Sequence, residues 1–129
     1  MKSECITAAG GAKPMGPYSP ALLSGGMIFV SGQIGADPAT GKPADGVRAQ
    51  AELSIRGIEA LLAAAGLGLG DVVKTTIFLA DIADFAQVNE VYASCFSQPY
   101  PARSTFQVAA LPGGALVEIE AIALASNAS

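Results

Sequence analysis

The feature that most constrains the fold is a long amphipathic helix in the first half of the chain. Its apolar residues are Val47, Ala51, Ile55, Ile58, Leu62 and Ala65. Spacings of three and four residues place these side chains on one helix face, which must pack against another layer of the protein. Asp45 is a candidate N-cap, and Gly66 is a candidate C-terminal stop. The sequence therefore predicts one long helix with a buried face.

Short apolar and β-branched runs on both sides of this helix predict strands. Gly25 and Gly26 separate two such runs, which is a hairpin signal. Downstream, residues 72–79 form a third strand, and Asp84 is a candidate N-cap for a second helix. The apolar stripe of that helix consists of Phe85, Val88, Tyr92 and Phe96. Two further strands, 103–108 and 117–124, follow and are joined by a turn at residues 112–114.

The order of these elements indicates an α+β fold with a mixed β-sheet and both helices on one face. A further short strand near Cys5 completes the pattern, and residues 1–129 are the length of one domain. Two helices cover only one face of a sheet. The strand 117–124 carries apolar residues on both faces, so we expect self-association through the uncovered face.

Composition excludes several classes of function. The chain has no histidine, which removes Ser/His/Asp triads, Cys/His dyads and the commonest zinc ligand. The formal net charge of −4 disfavours nucleic acid and anionic membranes as partners. Cys5 and Cys95 are far apart and form no CxxC motif. The N-terminus has no apolar signal region, so we expect a cytoplasmic protein, and neither cysteine belongs to a metal-binding motif.

Charged residues on the last two strands suggest a site on the uncovered sheet face. Because side chains alternate along a strand, Arg103, Thr105 and Gln107 point the same way. We expect them on the uncovered face, with Phe106 toward the helices. Glu118 and Glu120 share a face of the last strand, and if the two strands pair in a hairpin, they join Arg103. The pattern leaves two interpretations open, a functional site and an interfacial ion pair.

Two other motifs are less informative. The glycine series 66–70 follows a helix and precedes a strand, the reverse of a dinucleotide-binding loop, and predicts a plain connection. The proline-rich segment 13–21 presents Tyr18 and suits a packing device as well as a pocket lid. Ser31 and Asn89 are single polar residues within predicted elements, and the pattern alone does not select them.

The stretch YPARSTFQVAALPGGALVEIEAIAL resembles the signature of the RidA/YjgF (reactive intermediate deaminase) family, with an arginine after Pro-Ala and a Glu-Ile-Glu some residues later. Further similar segments are GPYSPA, IFVSGQIG and KTTIFLADIADFAQVNEVYASCF. The resemblance covers nearly the whole chain. It implies a chorismate-mutase-like α+β fold and a homotrimer with active sites between subunits. It also implies hydrolysis of 2-aminoacrylate, 2-iminobutanoate and similar enamine or imine acids to 2-keto acids and ammonia, without a cofactor.

The resemblance assigns roles to particular residues. Arg103 would bind the substrate carboxylate, to which its bidentate guanidinium is suited. Glu118 would position or activate the attacking water, and Tyr18 would close the pocket from a neighbouring subunit. The remaining lining residues would be Ser31, Gly32 and Asn89. An imine carbon is already electrophilic, so orientation, a water and proton transfer suffice.

One position departs from the family pattern, since Thr105 stands where many relatives have cysteine. Its hydroxyl can hold a water, so we expect hydrolysis to survive, whereas thiol chemistry would be lost. Two other functions stay open beside the deaminase. One is a non-enzymatic small-carboxylate-binding or chaperone-like module. The other is an endoribonuclease or translation inhibitor, which the acidic composition disfavours.

Overall fold

The structure, a computed structural model, describes residues 2–11 and 13–125. The elements run in the order β1 (Glu4–Ile6), β2 (Ala21–Ser24), β3 (Met27–Ile34), α1 (Val47–Ala64), β4 (Val72–Leu79), α2 (Phe85–Cys95), β5 (Ala102–Gln107) and β6 (Val117–Leu124). This order confirms the predicted succession of strands and helices, including the short strand at Cys5.

The sequence predicts one end of helix α1 correctly and misplaces the other by one residue. Helix α1 ends as predicted, where the Gly66 amide donates to the carbonyl of Ala63 at 3.0 Å. The predicted cap at its start is wrong by one residue, because Gly46 and not Asp45 occupies the N-cap position. The backbone of Gly46 turns there with φ 92°, and no side chain caps the helix. The start of α1 is thus determined by the backbone turn at Gly46 and not by a capping side chain.

A single 3₁₀ turn, residues 82–84, precedes helix α2, and the capping side chain lies before that turn. Asp84 occupies the N-cap position, but its side chain makes no cap hydrogen bond. Instead the carboxylate of Asp81 accepts a hydrogen bond from the Ala83 amide at 2.9 Å. The capping function predicted for Asp84 therefore belongs to Asp81, which stabilises a single 3₁₀ turn before the helix.

Strands β2 and β3 form the predicted hairpin. Gly25 and Gly26 have φ of 59° and 77°, as the two central residues of a type I′ turn require, and Ser24 pairs with Met27 across them. The hairpin sets the side-chain register of β3. It places Val30 on the helix-covered face and Phe29 on the other.

The sheet has the order β1-β2-β3-β6-β4-β5, and only β4 and β5 are parallel neighbours. The predicted pairing of the last two strands in a hairpin is therefore wrong, because β4 lies between them. The reason is the crossover through α2. A parallel pair needs such a crossover, so β4-α2-β5 forms one unit and leaves the opposite edge of β4 to β6.

The core lies between the sheet and two helices that pack against each other on the same face. Strand β6 contributes four buried residues to it, Val117, Ile119, Ala121 and Ala123. The opposite face has no covering layer within the described part of the chain. Large apolar side chains lie exposed on that open face, among them Phe29 at 42 % and Phe106 at 53 %. The α+β architecture with helices on one face is thus confirmed.

Within residues 2–11 and 13–125, no helix is long and apolar enough to cross a bilayer. Over the same ranges, no group of three or more His, Cys, Asp or Glu side chains could hold a metal ion.

Candidate functional site

Arg103 on edge strand β5 is held by helix α2. Its guanidinium donates a hydrogen bond to the side-chain carbonyl of Asn89 at 2.7 Å. The guanidinium carbon lies 4.9 Å from the ring centroid of Tyr92 and 5.5 Å from that of Phe85, distances at which a cation is attracted to an aromatic face. One hydrogen bond and two rings thus fix the group, while a guanidinium has five donors in all.

A cleft of about 330 Å³ opens beside this guanidinium. Its lining residues are Asn89, Tyr92, Ala93, Tyr100, Pro101 and Arg103. Thr105 follows two residues along β5, on the same face. Its hydroxyl oxygen is the one buried side-chain N or O atom without a hydrogen-bond partner among the described residues. A buried hydroxyl of this kind is suited to a water or ligand atom.

Glu118 lies on the open face, where β6 pairs with β3. Its carboxyl group sits directly over Gly32, and a Cβ at that position would lie 2.8 Å from the Glu118 Cδ. Only glycine allows this close approach. Partial burial raises the pKa of Glu118 above its ordinary value, and the charge of Glu120 raises it further. The carboxyl is therefore shifted toward the range in which it can exchange protons near neutral pH.

A β-bulge in β3 shapes the backbone around Gly32. The register with β6 shifts between Val30 and Gln33, which inserts one extra residue in β3 opposite β6. The Ser54 hydroxyl of α1 donates to the carbonyl of Gln33 at 2.6 Å and anchors the end of the bulge. Ser31, just before Gly32, donates from its hydroxyl to the carbonyl of Ser19 at 2.7 Å. This contact ties the proline-rich segment to the bulge.

A second cleft, of about 400 Å³, lies on the open face, as Glu118 does. Its lining residues are Tyr18, Ser19, Leu22, Phe29, Val30, Ser31, Glu120, Ala121 and Ile122. Tyr18 is 54 % exposed, so its ring is free to contact another molecule. We call Glu118, Gly32, Ser31 and Tyr18 the Glu118 half-site, and Arg103, Asn89 and Thr105 the Arg103 half-site.

The two half-sites lie on opposite faces of the sheet, contrary to prediction. Arg103 pairs with Thr75 of β4, whose side chain is fully buried beneath the helices. Glu118 pairs with Phe78 of β4, which lies on the open face. The prediction that Arg103, Thr105 and Gln107 share the uncovered face with Glu118 and Glu120 is therefore wrong, as is the helix-facing orientation of Phe106. The error follows from the hairpin that does not form.

Sequence reasoning missed the aromatic side chains that flank Arg103. Phe85, Asn89 and Tyr92 are spaced by four and three residues on α2, and so they form one helix stripe. The sequence pattern predicts an apolar stripe that contains Phe85 and Tyr92, but it does not place either ring beside Arg103. The polar Asn89 within an aromatic stripe was the available signal that it also faces a charged group.

Fold and geometry define a class of protein: an α+β domain whose two helices cover one face of a six-stranded sheet, with a group of polar residues on each face and apolar side chains exposed on the uncovered one. The chain belongs to a known family of such proteins. The Endoribonuclease L-PSP family model matches residues 10–125. This is the RidA/YjgF family that the sequence resembles.

Individual relatives agree with this assignment. The chain is 46 % identical over 120 residues to the human 2-iminobutanoate/2-iminopropanoate deaminase, covering 92 % of this chain and 88 % of the relative. The crystal structure of RidA from the Antarctic bacterium Psychrobacter sp. PAMC 21119 matches with a TM-score of 0.89 and 45 % identity, covering 94 % of this chain and 98 % of that one. Escherichia coli TdcF, crystallised with bound serine, matches with a TM-score of 0.86 and 41 % identity over the same shares.

Proposed function

We propose that this protein hydrolyses reactive enamine and imine acids, such as 2-aminoacrylate and 2-iminobutanoate, to 2-keto acids and ammonia. The carrying observation is the guanidinium of Arg103, immobilised by Asn89 and two rings beside an open cleft. The human relative is named for this reaction. The serine bound to the TdcF relative has the α-carboxylate that such a guanidinium would bind.

The reaction needs no more than the groups present. An enamine first gains a proton on its β-carbon and loses one from its nitrogen, which gives the imine. Water then adds through its oxygen to the imine carbon, both of its protons reach the nitrogen, the C–N bond breaks, and ammonia leaves a carbonyl behind. Glu118, with its raised pKa, accepts a proton from the water and returns it to the nitrogen. Arg103 binds the substrate carboxylate and Asn89 orients the guanidinium. Thr105 offers its unpartnered hydroxyl to a water or to the substrate.

The site requires more than one chain, because Arg103 and Glu118 point away from each other. We propose a homotrimer in which the Arg103 half-site of one subunit faces the Glu118 half-site of the next, with Tyr18 closing the pocket. The exposed Phe29 and Phe106 on the open face support burial of that face against other subunits. Sedimentation equilibrium at micromolar concentration should show three chains, and an active monomer would overturn the shared site. The cytoplasmic location stays a prediction.

A coupled assay tests the reaction directly. A serine or threonine dehydratase generates the enamine, and release of the keto acid is followed with and without this protein. We expect faster release with the wild type and no acceleration with Arg103→Ala. A wild type that binds pyruvate but accelerates nothing would instead support the small-carboxylate-binding module.

Subunit complementation tests the shared site. Arg103→Ala and Glu118→Gln chains each keep one half-site, so co-expression in equal amounts restores about a quarter of the sites in a cyclic oligomer. Each variant alone should be nearly inactive. A mixture no more active than its components would exclude a site shared between subunits.

The family description names an endoribonuclease, which makes RNA cleavage a second candidate. The net charge of −4 and the carboxylates of the open face disfavour a phosphate backbone. Incubation of labelled RNA with the purified protein decides between the two, because cleavage abolished by Glu118→Gln would assign RNA to the same site.

A further inference from the structure

Tyr92 is one of the two rings that hold the guanidinium of Arg103, and it is itself attached to both the core and the sheet. The guanidinium carbon lies over the Tyr92 ring at 4.9 Å from its centroid. Tyr92 also stacks on Phe96, with ring centroids 4.4 Å apart and an interplanar angle of 28°. Tyr92 itself is only 4 % exposed. The Tyr92 ring is therefore a buried, well-packed group against which the guanidinium of Arg103 lies.

The hydroxyl of Tyr92 is tied to the sheet. It shares a 2.8 Å hydrogen bond with the hydroxyl of Thr75, a fully buried residue of β4. Thr75 is the register partner of Arg103 in the neighbouring strand. The same pair of strands thus holds both the arginine and the ring on which it lies. Packing against Phe96 orients the ring, and the Thr75 hydrogen bond prevents it from sliding along the sheet.

We propose that Thr75 and Tyr92 are positioning residues for Arg103, which fix its guanidinium in the orientation that binds the substrate carboxylate. This inference rests on the proposed function, since it assigns the same arginine as the carboxylate clamp. The physical reason is entropic. An arginine side chain has many rotamers, and their loss on binding weakens affinity unless the side chain is already immobile. Asn89 constrains one end of the guanidinium, and the tied ring constrains its plane.

Substitutions at the hydrogen bond separate positioning from mere stability. Thr75→Val and Tyr92→Phe each leave one buried hydroxyl without a partner, which lowers stability, whereas the double variant removes both hydroxyls and should recover most of it. If Thr75 and Tyr92 position Arg103, the KM of the double variant should still be roughly three- to tenfold higher than that of the wild type. This is the effect expected from freeing one long side chain. Thr75→Ser keeps a hydroxyl and should restore the wild-type KM.

Calorimetric titration with pyruvate gives a second measurement that needs no turnover. We expect its Kd to rise by the same factor in the double variant and to be unchanged in Thr75→Ser. A double variant with wild-type stability, KM and Kd would overturn the proposal, because the hydrogen bond would then contribute nothing to substrate binding.

Nuclear magnetic resonance of the arginine side chains makes the test independent of the proposed function. The chain has three arginines, Arg48, Arg56 and Arg103, so the Nε–Hε signal of Arg103 is assigned by its loss in Arg103→Lys. We expect a rigid signal in the wild type and in Thr75→Ser, and a mobile one in the double variant. Unchanged rigidity in the double variant would contradict the proposal. If the signal is mobile in the double variant but the wild type neither binds pyruvate nor hydrolyses imines, the positioning of Arg103 is upheld and the proposed function is refuted.

Discussion

The Arg103 and Glu118 half-sites differ in how firmly the chain holds them. Arg103 is hydrogen-bonded to Asn89 and lies over the ring of Tyr92, which is anchored in the core. Glu118 lies on the open face against a glycine, and no hydrogen bond holds its carboxyl group within the described residues. A group that binds a substrate benefits from immobility, whereas a group that transfers protons needs a pKa near the working pH and access to the reacting water. The difference agrees with the proposal that Arg103 binds the substrate and that Glu118 transfers the proton.

The largest effect should come from the reacting half. Glu118→Gln keeps the shape but cannot accept a proton, so we expect kcat to fall by about a hundredfold or more, with little change in the binding of pyruvate. Steady-state kinetics on the purified oligomer measures this. Glu120→Gln, on the same strand and face, is the matched control and should lose far less. An unimpaired Glu118→Gln would remove Glu118 from the proposed chemistry.

Arg103→Lys tests the binding half. Lysine keeps the charge but lacks paired donors, and losing one charge-assisted hydrogen bond of roughly 1.5 to 3 kcal/mol should lower kcat/KM about ten- to a hundredfold. Arg103→Ala should be worse. Arg56→Lys, an exposed helix position, is the control and should be unchanged. Thermal melts exclude unfolding as the cause, and a wild-type kcat/KM in Arg103→Lys would refute the carboxylate clamp.

Thr105 should have a small effect, because water is the nucleophile in the proposed mechanism. Thr105→Ser keeps the hydroxyl and Thr105→Cys replaces it with a thiol, and both should retain most imine hydrolysis, within about fivefold of the wild type. Kinetics with the oligomeric state checked by sedimentation decides this. If Thr105→Ser loses all activity as an intact oligomer, then the threonine methyl group or its rotamer is essential.

The smallest effect concerns the pH dependence of stability. Because the folded protomer raises the pKa of Glu118, its native state holds a proton that the unfolded chain has lost, and wild-type stability decreases as pH rises from the ordinary carboxyl range through the raised pKa. Glu118→Gln lacks this loss. Its melting temperature should exceed that of the wild type at neutral pH, and the gain should vanish near pH 4, below the ordinary carboxyl pKa. The reverse order at neutral pH would mean that the assembled protein pairs Glu118 with a cation.

Local sequence signals determined much of the fold. The turn at Gly25 and Gly26, the end of α1 at Gly66 and the bounds of β4 and β6 all follow from neighbouring residues. The signature around Arg103 and Glu118 likewise identified the family from the sequence.

The positions of Arg103 and Glu118 relative to each other were decided only by the tertiary structure. Alternation fixes which residues of one strand share a face, but the face itself depends on which strand lies alongside, and strand pairing is a contact between distant parts of the chain. The insertion of β4 between β5 and β6 placed Arg103 under α2 and Glu118 on the open face. Polarity suggested the opposite for Arg103 and Phe106. That rule assumes a solvated open face, whereas this one exposes phenylalanine, and the contact of Thr75 with Tyr92 beneath Arg103 arises only when three distant segments meet.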